Sequence, residues 1–201
     1  MDGILMQGPG AEPQLRYRRH AELVATAALG IAAVRSFTAH IPVAFAFACY
    51  GALHALAVAL CLRPRPPPRR ALAFVAAAAL QSGLLARLGF VALPLLAGAD
   101  IDAAALLVVA ASAFIGALGY GALLRGLLRY PVGAAPFVTI AFACTLAACA
   151  ALTLTRRFPA AGSTWLAILW WLAFSGGLCV VAGRRSRSAG RSAGATQQRM
   201  P

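Results

Sequence analysis

Residues 63–70 read Arg-Pro-Arg-Pro-Pro-Pro-Arg-Arg and separate two long apolar runs, 42–62 and 71–97. Proline lacks the backbone N–H and clashes with the preceding helical turn, so four prolines in eight residues cannot be helix interior. Four guanidinium groups cannot rest in hydrocarbon either. The stretch is a short turn in water between two membrane-length segments, and its charge allows the rest of the chain to be oriented from it.

The surrounding composition supports lipid as the solvent. Of 201 residues, 61% are hydrophobic and 11% charged, where a soluble domain carries about a quarter charged. Mean hydropathy is +0.79. The apolar residues come in runs near the length that spans a bilayer, about 20 residues, and not in the stripes of a half-buried helix.

Outward from the turn, the spans are expected at about 19–39, 42–62, 71–97, 103–124, 134–155 and 164–183. The first is the weakest, because its uninterrupted apolar run is only 23–34 and it must include Glu22 and a snorkelling Arg35. Its basic lead-in, Arg16 to His20, looks like a signal-peptide n-region, but no clean cleavage site follows, and a retained helix is the adopted reading. Asp102 is placed to cap the fourth helix. Segments 1–18 and 184–201 read as disordered tails, the second one basic.

All 18 cations are arginine, and the net charge is +13. With the N-terminus in the cytoplasm, 14 arginines fall on that side and three, Arg35, Arg156 and Arg157, on the other, with Arg87 inside the membrane. The expected fold is therefore an all-α bundle of six transmembrane helices with short loops and both termini cytoplasmic, in a cell membrane of the bacterial inner-membrane kind. The arginines lie in turns and a tail, so their expected partners are anionic lipid headgroups and not nucleic acid. A homo-oligomer or a membrane-complex partner is left open.

Five cysteines, Cys49, Cys61, Cys144, Cys149 and Cys179, lie in apolar runs without C-x-x-C spacing, which argues against a disulfide framework or a metal site. His40 and His54 are fourteen residues apart, but Pro42 places His40 outside the second helix and no facing histidine exists, so haem is not expected. No cofactor is. Phe174-Ser175-Gly176-Gly177 resembles part of a membrane serine protease loop, but lacks the preceding glycine, and no histidine follows Ser175. No paired carboxylates, HExxH or phosphate-binding glycine loop is present, so the chain is read as non-enzymatic.

Ionisable groups inside a membrane are the candidate functional residues. His54 lies near mid-bilayer, and Gln81 reaches a similar depth on the antiparallel third helix. Together they either line a path or form a structural interhelical hydrogen bond. Arg87 and Arg35, with Asp100 and Asp102 at the rim, form either a charged vestibule for an anion or a set of snorkelling arginines with counter-ions. The second and fifth expected helices share Ala-Phe-Ala-Cys, at 46–49 and 141–144, a weak sign of an inverted repeat. Gly116, Gly119 and Gly121, and Ala28 with Ala32, allow close helix approach. The leading functional expectation is a transporter or channel-like permease for a small polar or anionic solute. The alternatives are a non-catalytic subunit or assembly factor of a larger membrane complex, and a membrane enzyme acting on lipid.

Overall fold

The computed structural model describes residues 14–15, 42–63, 65–96, 98, 100–130, 133–157, 165–178 and 180–181. Four long helices follow one another: α1 (Val43–Cys61), α2 (Pro68–Leu96), α3 (Ile101–Leu127) and α4 (Ala134–Arg157). A shorter apolar helix, α5 (Trp165–Leu178), packs onto them. The only strands among the described residues are two-residue segments, β1 (Gln14–Leu15) and β2 (Leu62–Arg63), paired antiparallel with Leu15 opposite Leu62. β2 continues directly from the end of α1, so two residues of the expected N-terminal tail lie against the arginine turn. The protein is an all-helical, multi-span membrane protein, its two-residue strand pair aside.

The expectation of six spans is corrected. Five helices are described, and four of them are long and apolar enough to cross a membrane. Of the helix expected at 164–183, the stretch Trp165–Leu178 is described, and it is not among those four. The helix expected at 19–39 lies outside the described residues, as does Arg35. The placement of both termini in the cytoplasm was derived from the count of six and falls with it. What survives is relative: the turns between α1 and α2 and between α3 and α4 lie at one end of the bundle, and the turn between α2 and α3 lies at the other.

Local chemistry explains the boundaries. Pro68 opens α2, where a missing N–H costs nothing and φ is already helical. The cap of α3 is Asp100 and not Asp102: its carboxylate accepts from the backbone N–H groups of Asp102 and Ala103, both at 2.9 Å. Asp100 adopts the extended conformation of an N-cap residue, whereas Asp102 already lies in the first turn. Its side chain reaches instead to the end of α4, where Arg156 Nη2 donates to Asp102 Oδ1 at 2.8 Å. That contact ties the start of α3 to the end of α4, as antiparallel neighbours require. Along α4, Thr145 and Thr155 return their hydroxyls to the carbonyls of Ala141 and Ala151 at 2.9 Å, which leaves no bare donor facing lipid.

The packed core sits in the half of the bundle nearest the arginine turn. Leu62, Phe74, Leu124, Phe137, Phe174 and Leu178 are all buried there. Glycines allow the helices to close up. A methyl group at Gly121 would stand 2.7 Å from Phe137 Cδ1, and one at Gly177 would stand 2.6 Å from Ile140 Cγ1. Outward-facing positions are apolar, with Leu95 79% and Leu146 71% exposed, as befits helices solvated by acyl chains. The two Ala-Phe-Ala-Cys segments do not occupy matching environments: Phe47 faces inward, and Phe142 is 59% exposed on α4.

Candidate functional site

The half of the bundle away from the arginine turn is not filled. A cavity of about 540 Å³ opens between α1, α2, α3, α4 and α5. One face of each long helix lines it at helical spacing: Val43, Phe47, Tyr50 and His54 on α1, and Ser82, Leu85, Gly89 and Leu93 on α2. On α3 the lining runs from Ala105 through Val108, Ser112 and Gly116 to Tyr120, about 22 Å at 1.5 Å per residue. Val43 begins α1, Leu93 lies near the end of α2 and Ala105 near the start of α3, so the cavity reaches the end of the bundle that carries Asp102 and Arg156. Its floor is Tyr50, His54, Tyr120, Trp170 and Trp171, resting on the packed core.

His54 is 1% exposed and enclosed by rings. Tyr120 and Trp171 lie at centroid distances of 5.0 Å, Phe174 at 5.7 Å and Trp170 at 5.9 Å. A hydrogen bond of 3.1 Å joins its Nε2 to Ser175 Oγ on α5, with the imidazole tautomer setting which atom donates. Ser175 is itself buried and stands behind His54, outside the cavity lining.

Gln81 donates from Nε2 to the carbonyl oxygen of Gly116 at 2.7 Å. The amide fits because position 119 has no side chain: a methyl group at Gly119 would meet Gln81 Nε2 at 2.6 Å. From the other side, Trp170 Nε1 donates to the carbonyl of Ala113 at 3.3 Å. α2 and α5 are thus both tied to α3, by bonds that typically contribute about 1 kcal/mol each in a membrane. Tyr120 differs from these groups. It lines the cavity, it is 2% exposed, and its hydroxyl has no hydrogen-bond partner among the described residues.

The expected vestibule is distributed differently. Arg87 is exposed on α2 and does not line the cavity. Asp100 is occupied with capping α3, and Asp102 pairs with Arg156. This pair is 72% and 50% exposed, so water screens it and it contributes little to stability. No charged side chain is found among the described residues that line the cavity. Residue-by-residue reading singled out His54, which lines the cavity, and Gln81, which bonds to Gly116 and not to His54 and is not among the lining residues; it passed over Tyr120, Trp170 and Ser112, whose shared face is visible only once the helices are docked. No group of three metal-ligating side chains occurs among the described residues. No family model matches this chain, and neither a curated protein nor a solved structure matches it.

Proposed function

We propose that the protein is a small permease that receives its solute in the cavity between α1, α2, α3, α4 and α5 and passes it by His54. One observation supports this above all: a cavity about 22 Å deep reaches one end of the bundle, and a tightly packed cluster closes the other end. That is the asymmetry expected of one state of an alternating-access cycle. The arginine-turn end is the cytoplasmic one in this reading, because guanidinium-rich turns are retained there. The exposed faces of α2 and α4 contact acyl chains, and the turn arginines contact anionic headgroups. His54 and Ser175 form a positioning pair and not a nucleophile and its base, since Ser175 lies off the cavity.

The test is two-sided accessibility. Ser112→Cys places a thiol in the cavity wall, in a background with the five native cysteines replaced. In sealed vesicles of either orientation, a membrane-impermeant maleimide reaches it from both faces, each in a different conformation. Labelling from a single face under every condition removes the permease reading and leaves a non-catalytic subunit with a fixed binding cavity.

A further inference from the structure

The geometry points to a neutral amphiphile as the molecule this cavity takes: a flat head bearing one hydrogen-bonding oxygen, held at Tyr120, with an alkyl tail along the shaft. The inference rests on reading the cavity as a ligand site, and it goes further by naming the ligand's chemistry.

Three features carry it. The first is charge. None of the described lining residues is charged, so an anion or cation would surrender its hydration without gaining a counter-ion, at a cost of several kcal/mol. An uncharged molecule faces no such cost. The second is the division of the lining. The shaft is largely aliphatic, with Val43, Leu85, Leu93, Val108 and Leu152 beside Phe47, Phe90 and the hydroxyls of Ser82 and Ser112, whereas the floor is aromatic, with Tyr50, His54, Tyr120 and the two tryptophans. An aliphatic shaft gains by burying methylenes, at about 0.8 kcal/mol each in general. An aromatic floor favours a flat ring, which offset or edge-on contacts can grip. The length of the cavity, about 22 Å along α3, suits a long thin molecule over a round one.

The third feature is the Tyr120 hydroxyl. Two other polar side chains that reach α3 in this region are satisfied there: Gln81 on the Gly116 carbonyl and Trp170 on the Ala113 carbonyl. Tyr120 Oη is buried with no partner among the described residues, and a hydroxyl left unsatisfied in such surroundings is costly. It can both donate and accept, so a carbonyl or a hydroxyl on the ligand head would complete it equally well.

A matched series of probes separates these features: para-nonylphenol, nonylbenzene and para-nonylbenzoate, offered to the detergent-solubilised full chain and read by native mass spectrometry. The phenol is expected to bind more tightly than both the hydrocarbon and the carboxylate. Tyr120→Phe keeps the ring and removes only the hydroxyl. It is expected to weaken the phenol by on the order of tenfold and to leave nonylbenzene unchanged. Its melting temperature in detergent should equal or exceed that of the parent, because an unpartnered buried hydroxyl is lost. Ser112→Leu fills the shaft and should exclude all three probes, which keeps the test decisive if the tyrosine variant folds poorly. Equal binding of phenol and nonylbenzene, a preference for the carboxylate, or an unchanged phenol affinity in Tyr120→Phe overturns the inference. Discrimination among the probes with labelling of position 112 from one face alone would retain the ligand class and remove transport. Labelling from both faces with no discrimination would do the reverse.

Discussion

A histidine and a serine buried together in a bundle of apolar helices must satisfy each other, since neither has water to fall back on. The 3.1 Å contact between His54 Nε2 and Ser175 Oγ bridges α1 and α5, and the rings of Tyr120, Trp171 and Phe174 keep solvent from it. A double-mutant cycle on His54→Phe and Ser175→Ala measures the bond directly. The coupling energy should fall at about 1 kcal/mol, because polar contacts in a membrane compete with partners found in the membrane-embedded unfolded state. Reversible unfolding in mixed micelles gives the value. A coupling indistinguishable from zero would mean that the two side chains are held by their separate surroundings. His54 stood out in the sequence as an ionisable group near mid-bilayer. Its partner did not: Ser175 lies 121 positions away, and nothing local marks it.

At the scale of elements, the helices approach as closely as their glycines permit. Gly121 of α3 faces Phe137 of α4, and Gly119 faces the Gln81 amide of α2. Gly121→Ala would place a methyl carbon 2.7 Å from the Phe137 ring, in a region already buried on all sides. The ring or the helix must shift, and overpacking of this kind costs typically 1–3 kcal/mol. The expected result is a melting temperature several degrees lower in detergent, whereas Gly126→Ala, where nothing lies within 4 Å, should be neutral or slightly stabilising. Equal effects at the two positions would contradict the packing of α3 on α4. Such glycines are readable in the sequence as sites of close approach, but their neighbours are not. In a helix that is apolar all round, hydropathy does not separate the face toward a neighbour from the face toward lipid, so α3 offers no stripe that points inward.

At the scale of the whole molecule, charge decides orientation and packing decides where space is left. The arginine turn sits at the packed end, beside β1 and β2, and the cavity lies toward the other. A reporter inserted between Arg65 and Arg69 should read as cytoplasmic. Replacing Arg65, Arg69 and Arg70 together by Asn should produce a mixed population, because these guanidinium groups form much of the bias across the first described pair of spans. A reporter that keeps one side regardless would assign orientation to the remaining arginines.

Lipid as solvent, the helical state of 43–61, 68–96, 101–127 and 134–157 to within a few residues, and the position of the arginine turn were legible in the sequence. Each follows from local chemistry: the length of an apolar run, the missing N–H of proline, the cost of a guanidinium group in hydrocarbon. The number of spans was overreached: an apolar run fixes composition, and four of the described helices are long and apolar enough to cross a membrane, not six. Only the tertiary structure placed Ser175 behind His54, gave Gln81 the carbonyl of Gly116, and set Tyr120 at the floor of a cavity with its hydroxyl unpartnered among the described residues. These depend on the rotation of each helix about its own axis, which shape complementarity between helices sets and which the hydropathy of a uniformly apolar segment does not encode.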